Sequence, residues 1–161
     1  MSLQETKTRS LLPIVLLVLS IPIAGCAAAS STRNEDSKFP AAPFRLESAP
    51  WSEPYTGPLW VPKGARRAVL WTDPKTGGDT YYAHFPAGTR FEPHWHAYAE
   101  FAVVLRGKVI HTIGTEKSSL DVGDYVVIPP RVAHGWDSDP GGDAFLLIRH
   151  EGPADQNFVQ R

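Results

Sequence analysis

After residue 64 the sequence never sustains an apolar run for long before a glycine, a proline or a polar cluster closes it. Runs at 65–72, 80–85, 100–105, 108–113 and 145–149 each have the length of a strand. Between them stand turn formers: Asp73-Pro74-Lys75-Thr76-Gly77-Gly78-Asp79, then Pro86-Ala87-Gly88, Arg106-Gly107 and Gly114-Thr115-Glu116. A further stretch, 120–128, breaks at Gly123-Asp124 and stops at Pro129-Pro130. No long apolar period of 3.6 residues is present, so helices are not expected. Short runs at this spacing predict an all-β domain, either a sandwich or a closed barrel. Fifteen prolines and 13 glycines in 161 residues agree with a chain made largely of turns.

The remaining composition excludes more than it assigns. A hydrophobic fraction of 42% suits one domain with a real core. A net charge of −1, with no basic run, no zinc-finger spacing and no phosphate-cradling glycine loop, gives no reason to expect nucleic acid as a partner. The chain has one cysteine, Cys26, so no disulfide forms within it.

The N-terminus reads as a targeting segment. Lys7 and Arg9 precede an apolar run over 11–23 that Pro13 and Pro22 interrupt. That run is short for a membrane span, which takes about 20 apolar residues, and it fits a secretory signal peptide. Ile23-Ala24-Gly25-Cys26 resembles the bacterial lipobox. The resemblance implies that residues 1–25 are removed and that Cys26 becomes a lipidated N-terminus. The protein is then exported and lipid-anchored to a bacterial membrane. Two or more acyl chains hold stably, since each buried CH₂ contributes about 0.8 kcal/mol. Ala27 is not the aspartate associated with inner-membrane retention, which favours the periplasmic side of an outer membrane where one exists. Residues 27–38 are small and polar and read as a flexible tether. Residues 39–58 form a proline-rich arm, expected to be extended and loosely packed, with Trp51, Tyr55 and Trp60 as candidate pins. Residues 59–161 are the barrel domain.

The chemistry concentrates in residues 88–107. His94 and His96 are two apart, so on a strand both imidazoles share one face, about 6–7 Å apart along the backbone. Glu100 is in phase with both and begins the next run. Two neutral imidazoles and a carboxylate are a common metal set that leaves coordination positions open. The spacing resembles the first motif of the cupin superfamily: Gly88, five residues, His94-x-His96, three residues, Glu100, six residues, Gly107. Gly123, Pro129 and His134 fit the second motif, where Arg131 stands in place of a glycine and Ser138 in place of an asparagine. The glycine replacement leads us to expect a turn of altered shape before His134. The resemblance implies a single-domain cupin, a double-stranded β-helix or jelly-roll barrel, with His134 as the fourth ligand.

Three imidazoles and a carboxylate suit one divalent ion of Fe, Mn, Ni, Co or Zn. Two functional readings follow. One is a metal-dependent enzyme acting on a small organic molecule, of dioxygenase, isomerase or lyase type, similar to the quercetin-dioxygenase-like small cupins. In it Glu100 doubles as a base, Tyr98 lines the pocket, and Arg131 contacts an anionic group of the substrate. The other is a non-catalytic module that binds a metal or small ligand, similar to the cupin half of ChrR-type anti-sigma factors. The resemblance also implies a homodimer. Tyr82, Phe91, Trp95, Val103 and Trp136 join Tyr98 as candidate pocket walls. His84, His111 and His150 fall outside both motifs and are expected to be structural or exposed.

Overall fold

The computed structural model describes residues 42–57 and 61–159. The leader, Cys26, the tether, Leu59 and Trp60 lie outside the described residues. The described residues form two five-stranded antiparallel sheets. The first runs in the order β1 (Arg66–Thr72), β2 (Gly78–Phe85), β9 (Ala144–Pro153), β4 (Glu100–Arg106) and β7 (Tyr125–Ile128). The second runs β10 (Asn157–Phe158), β3 (Arg90–Trp95), β8 (His134–Ser138), β5 (Val109–Ile113) and β6 (Glu116–Leu120). The chain crosses repeatedly between the sheets, and the result is the expected all-β jelly roll. Among the described residues no helix is long and apolar enough to cross a membrane.

Alternation along the strands builds the interior. Ala102 and Val104 of β4 and Ala144, Leu146 and Ile148 of β9 point inward from the first sheet. Phe91, Val109 and Trp136 meet them from the second. Each large apolar side chain buried this way contributes about 1.5–3 kcal/mol. On the same inward phase β4 begins with Glu100 and β9 continues to His150, both buried. The polar site is therefore an extension of the core, held by the register that packs the leucines and valines.

Two turns fix the ends of the site strands. Gly107 adopts φ 75°, and a Cβ there would lie 2.3 Å from the Asp143 carbonyl oxygen. Only glycine fits this crossing between β4 and the start of β9. Arg131 adopts φ 63°. It therefore holds the left-handed conformation that a glycine adopts without strain. Its amide donates to the His96 carbonyl at 2.8 Å, tying this turn to the site. Ser138, at the asparagine position, is buried, and its hydroxyl donates to the Pro86 carbonyl at 2.6 Å.

The proline-rich arm is pinned, contrary to the loose packing expected of it. The Ser52 amide donates to the Arg67 carbonyl and the Tyr55 amide to the Ala65 carbonyl, each at 2.8 Å. The arm thus runs beside β1 and satisfies backbone groups that an edge strand would leave open. The Trp51 ring packs on Tyr82 and Phe145, with centroids 6.4 and 5.9 Å apart. Tyr55 packs against the core.

Candidate metal centre

Two cross-strand pairs face each other across the barrel. His94 of β3 is in register with His134 of β8, and Glu100 of β4 with His150 of β9. His96 follows directly after β3. A bulge between Phe91 and His94 lets both of these residues point inward although they are three apart. Gly135 of β8 faces this bulge, where a Cβ would lie 3.1 Å from the Phe91 carbonyl oxygen.

His94, His96, Glu100 and His134 are all buried, and each offers a ligand atom within 4.8 Å of the others. The three residues assigned from spacing and His134, implied by the cupin resemblance, are thus brought together. Each imidazole is oriented by a backbone carbonyl. His94 Nδ1 donates to the Glu92 carbonyl at 2.8 Å, His134 Nδ1 to the Val132 carbonyl at 3.1 Å, and His96 Nδ1 to the Asp155 carbonyl. A carbonyl only accepts, so Nδ1 carries the proton in all three rings and Nε2 presents a lone pair.

Two of those lone pairs converge on a carboxylate. His96 Nε2 lies 2.9 Å and His134 Nε2 3.5 Å from Glu100 Oε2. Both contacts have ion-pair distance without hydrogen-bond alignment, and both nitrogens lack a hydrogen-bond partner. Glu100 Oε1 is also buried without one. Acceptors packed against acceptors repel unless a cation lies among them, so the donor set fits a divalent ion. Bringing a proton in instead shows in the pKa values. Burial opposes charge on His96, but the close Glu100 carboxylate and its charge outweigh it and raise the ring above its ordinary value. His94, buried and beside His134, is pushed down to about 3. Burial pushes Glu100 up, yet His134, His150 and His96 together hold it well below the usual carboxylate range.

Sequence reasoning missed three residues here. His150 is buried, and its Nε2 donates to Glu100 Oε2 at 3.2 Å, so it orients the carboxylate. His111 is buried and packs at a tilt against Trp136, with centroids 4.3 Å apart and the His134 ring 5.7 Å away. Burial and His134 push it down to about 4. Tyr81 lines the cavity described next, whereas Tyr82 turns outward and donates to the Phe44 carbonyl at 3.2 Å. His84, also on the outer side, pairs with Asp143 at 2.9 Å.

A cavity of about 300 Å³ opens onto the centre. His94, His96 and Glu100 form its floor, while His134 lies behind them, fully enclosed. Tyr81, Phe85, Phe91, Trp136 and Ile148 form the walls. Ser52, Glu53 and Tyr55 of the arm, with Arg66 and Arg67 of β1, form the mouth. Of the expected walls, Phe91 and Trp136 line the cavity, whereas Tyr82, Trp95, Tyr98 and Val103 do not. Tyr98 is half-exposed and its ring covers Gly152. Arg131 is exposed and also lies outside the lining. Of the two arginines that contribute to the lining, Arg67 has its guanidinium over Tyr81, whereas that of Arg66 lies over Trp51 on the outer side.

Residues 81–148 match the family model described as Cupin domain. A cupin-2 domain protein from Rhodospirillum rubrum superposes with TM-score 0.61 at 17% identity, over 74% of this chain and 81% of its own. A cupin 2 conserved barrel domain protein from Rhodopseudomonas palustris superposes with TM-score 0.57 at 23% identity, over 67% of this chain and 76% of its own. A polyketide cyclase from Streptomyces resistomycificus superposes with TM-score 0.51 at 18% identity, over 60% of this chain and 72% of its own. No curated protein matches the sequence. At these identities the likeness is one of fold, and the fold is the cupin jelly roll.

Proposed function

We propose that this protein is a metal-dependent enzyme acting on a small organic molecule. One observation carries the reading. Three buried imidazoles are each fixed by a backbone carbonyl, two of them aim their free nitrogens at the Glu100 carboxylate, and all four residues offer ligand atoms within 4.8 Å of one another. Such an arrangement is repulsive until a cation enters it. His94, His96, Glu100 and His134 would hold the ion. When bound, the ion supplies Lewis acidity and a template for oxygen donors of the substrate.

The protein's own groups do the rest. His94, His96 and Glu100 face the cavity, so a substrate oxygen approaches from their side and not from the side of His134. The aromatic walls exclude water and orient a flat molecule. The histidines around Glu100 hold it ionised, which suits a ligand better than a strong base. Tyr81 is driven well above its usual pKa, first by burial and then by Glu100, so its hydroxyl stays protonated and serves as a donor to a substrate oxygen. The Streptomyces cyclase has the same fold and is an enzyme, but fold alone assigns no reaction here.

Metal analysis of residues 27–161, purified without chelator and reloaded with Fe(II), Mn(II) or Zn(II), tests this directly. The expected result is about one equivalent per chain and none in His94→Ala/His96→Ala. An empty wild-type protein under every loading ends the metalloenzyme reading and leaves a scaffold for binding. Turnover of phenolic or dicarbonyl substrates by the loaded protein then separates enzyme from sensor.

The proposal includes a location, the lipid on Cys26 holding the exported domain at a bacterial membrane. It rests on the lipobox-like run Ile23-Ala24-Gly25-Cys26. Expressed with its leader in a bacterium, the wild type is expected in the membrane fraction and Cys26→Ser in the soluble periplasm. Equal distribution of the two would remove the anchor from the account.

A further inference from the structure

The three imidazoles of the candidate metal centre are oriented in two different ways. His94 Nδ1 donates to the Glu92 carbonyl and His134 Nδ1 to the Val132 carbonyl, each two residues back along the chain. His96 lies just past the end of β3, and its Nδ1 donates to the carbonyl of Asp155, 59 residues further on. Its orientation therefore comes from the C-terminal segment and not from its own strand.

Asp155 is also the point by which that segment is fastened. Its carboxylate accepts the Ala97 amide, at 3.0 Å to Oδ1 and 3.2 Å to Oδ2. That amide belongs to the peptide joining His96 to Ala97, so one residue holds the imidazole with its main chain and the peptide beneath it with its side chain. Asn157 Nδ2 donates to Asp155 Oδ2 and, at 3.4 Å, to the Trp95 carbonyl. Beyond it β10 pairs with β3, Asn157 opposite Trp95 and Phe158 opposite His94. The Val159 amide donates to the Pro93 carbonyl at 3.0 Å, and the Phe158 ring lies 5.7 Å from that of His94.

The rest of the fastening is light. β10 has two residues, and Asp155 and Asn157 are only partly buried. Hydrogen bonds to an ionised acceptor are about twice as strong as neutral ones, so the Asp155 carboxylate carries a large share of the attachment.

We propose that Asp155 is a positioning residue of the metal centre, which makes His96 a ligand presented by the C-terminal segment while His94 and His134 are presented by the barrel alone. This rests on the metal-centre reading and adds a residue that neither cupin motif contains. Gln156, next along the segment, lines the cavity, so the closure that presents His96 also completes the cavity wall.

Two measurements on residues 27–161 test this: zinc affinity by competition with a chromophoric chelator, and the imidazole N–H signals in the proton NMR spectrum of the zinc-loaded protein. In the wild type the Nδ1 protons of His94, His96 and His134, each held by a carbonyl, are expected to exchange slowly. Asp155→Ala should weaken zinc binding about 10–100-fold, the usual cost of losing a group that orients a ligand. At saturating zinc it should remove the His96 signal and leave those of His94 and His134. Asp155→Asn keeps an oxygen for the Ala97 amide and should restore the signal, with affinity within about threefold of the wild type. Asn157→Ala removes only a donor to Asp155 and serves as the milder variant should Asp155→Ala fail to fold. It is expected to quicken exchange of the His96 proton alone. Unchanged zinc affinity in Asp155→Ala overturns the proposal, because His96 then needs no such holder. Loss of all three signals together also overturns it, because Asp155 then acts on the whole fold. So does an unchanged His96 exchange rate in Asn157→Ala. A wild type that takes up no zinc instead overturns the metal-centre reading beneath it.

Discussion

His150 shows how much of the site a strict period of two could have revealed. Ala144, Leu146 and Ile148 alternate inward along β9, and His150 is the next position in phase. His111 follows Val109 on β5 by the same rule. Both lie outside the cupin motifs, so motif matching passes over them, whereas phase places them inside. Tyr81 and Tyr82 were not separable this way, because Tyr81 with Phe85 and Tyr82 with His84 make equally plausible inward faces. The register shift in β2 between Gly78 and Thr80 also shortens any count from the preceding turn. His94, His96 and Glu100 were legible because their spacing suits one ion, and His134 through the resemblance of its surroundings to the second cupin motif. His150→Ala is expected to weaken metal binding by about 10–100-fold, the usual cost of losing a group that orients a ligand. His150→Gln should recover part of that loss, since its amide can still donate to Glu100. Competition with a chromophoric chelator measures both.

At the scale of elements, the strands with apolar alternation were legible and the others were not. The runs at 65–72, 100–105, 108–113 and 145–149 correspond to β1, β4, β5 and β9 within a few residues. β6 is Glu-Lys-Ser-Ser-Leu on an exposed edge, so it carries no burial signal. β8, His-Gly-Trp-Asp-Ser, is buried but polar, because its inward positions serve the site and its glycine accommodates the bulge. The arm was legible as extended, but its pairing was not, since its hydrogen bonds to β1 are made by backbone and leave no side-chain pattern. The turn at Arg131 supports a quantitative expectation. A side chain in the left-handed region costs about 1–2 kcal/mol, and glycine's extra freedom in the unfolded chain returns about 0.4–1 kcal/mol of that. Arg131→Gly should therefore stabilise the domain by about 0.5–1 kcal/mol in urea unfolding, with the metal content unchanged.

At the scale of the whole molecule, a cluster of buried titratable groups makes the metal-free protein sensitive to acid. His94 and His111 are pushed down to about 3 and about 4 from an ordinary 6.5. Below that ordinary value the unfolded chain takes up protons that the folded one refuses, so their contribution is lost as the pH falls toward 4. Glu100 acts in the same direction lower down, since its contribution is full above the ordinary carboxylate value of 4.5 and lost as the pH falls through its depressed one. His96 has the opposite sign, stabilising below 6.5 and losing this as the pH rises through its raised value. Two histidines outweigh one, and the urea midpoint of the chelated protein is expected to drop steadily between about pH 6.5 and 4.5. A midpoint that rises over this interval would contradict the buried, neutral state of His94 and His111.

The pairing of His94 with His134 on one sheet and of Glu100 with His150 on the other has a mechanical meaning. An ion held by the first pair and by Glu100 is a rivet through both layers of the jelly roll. Neither sheet can then peel away while the other stays intact, and the slow step of unfolding becomes release of the rivet. For a domain without internal disulfides, the ion would set how long the fold persists as well as what chemistry it performs.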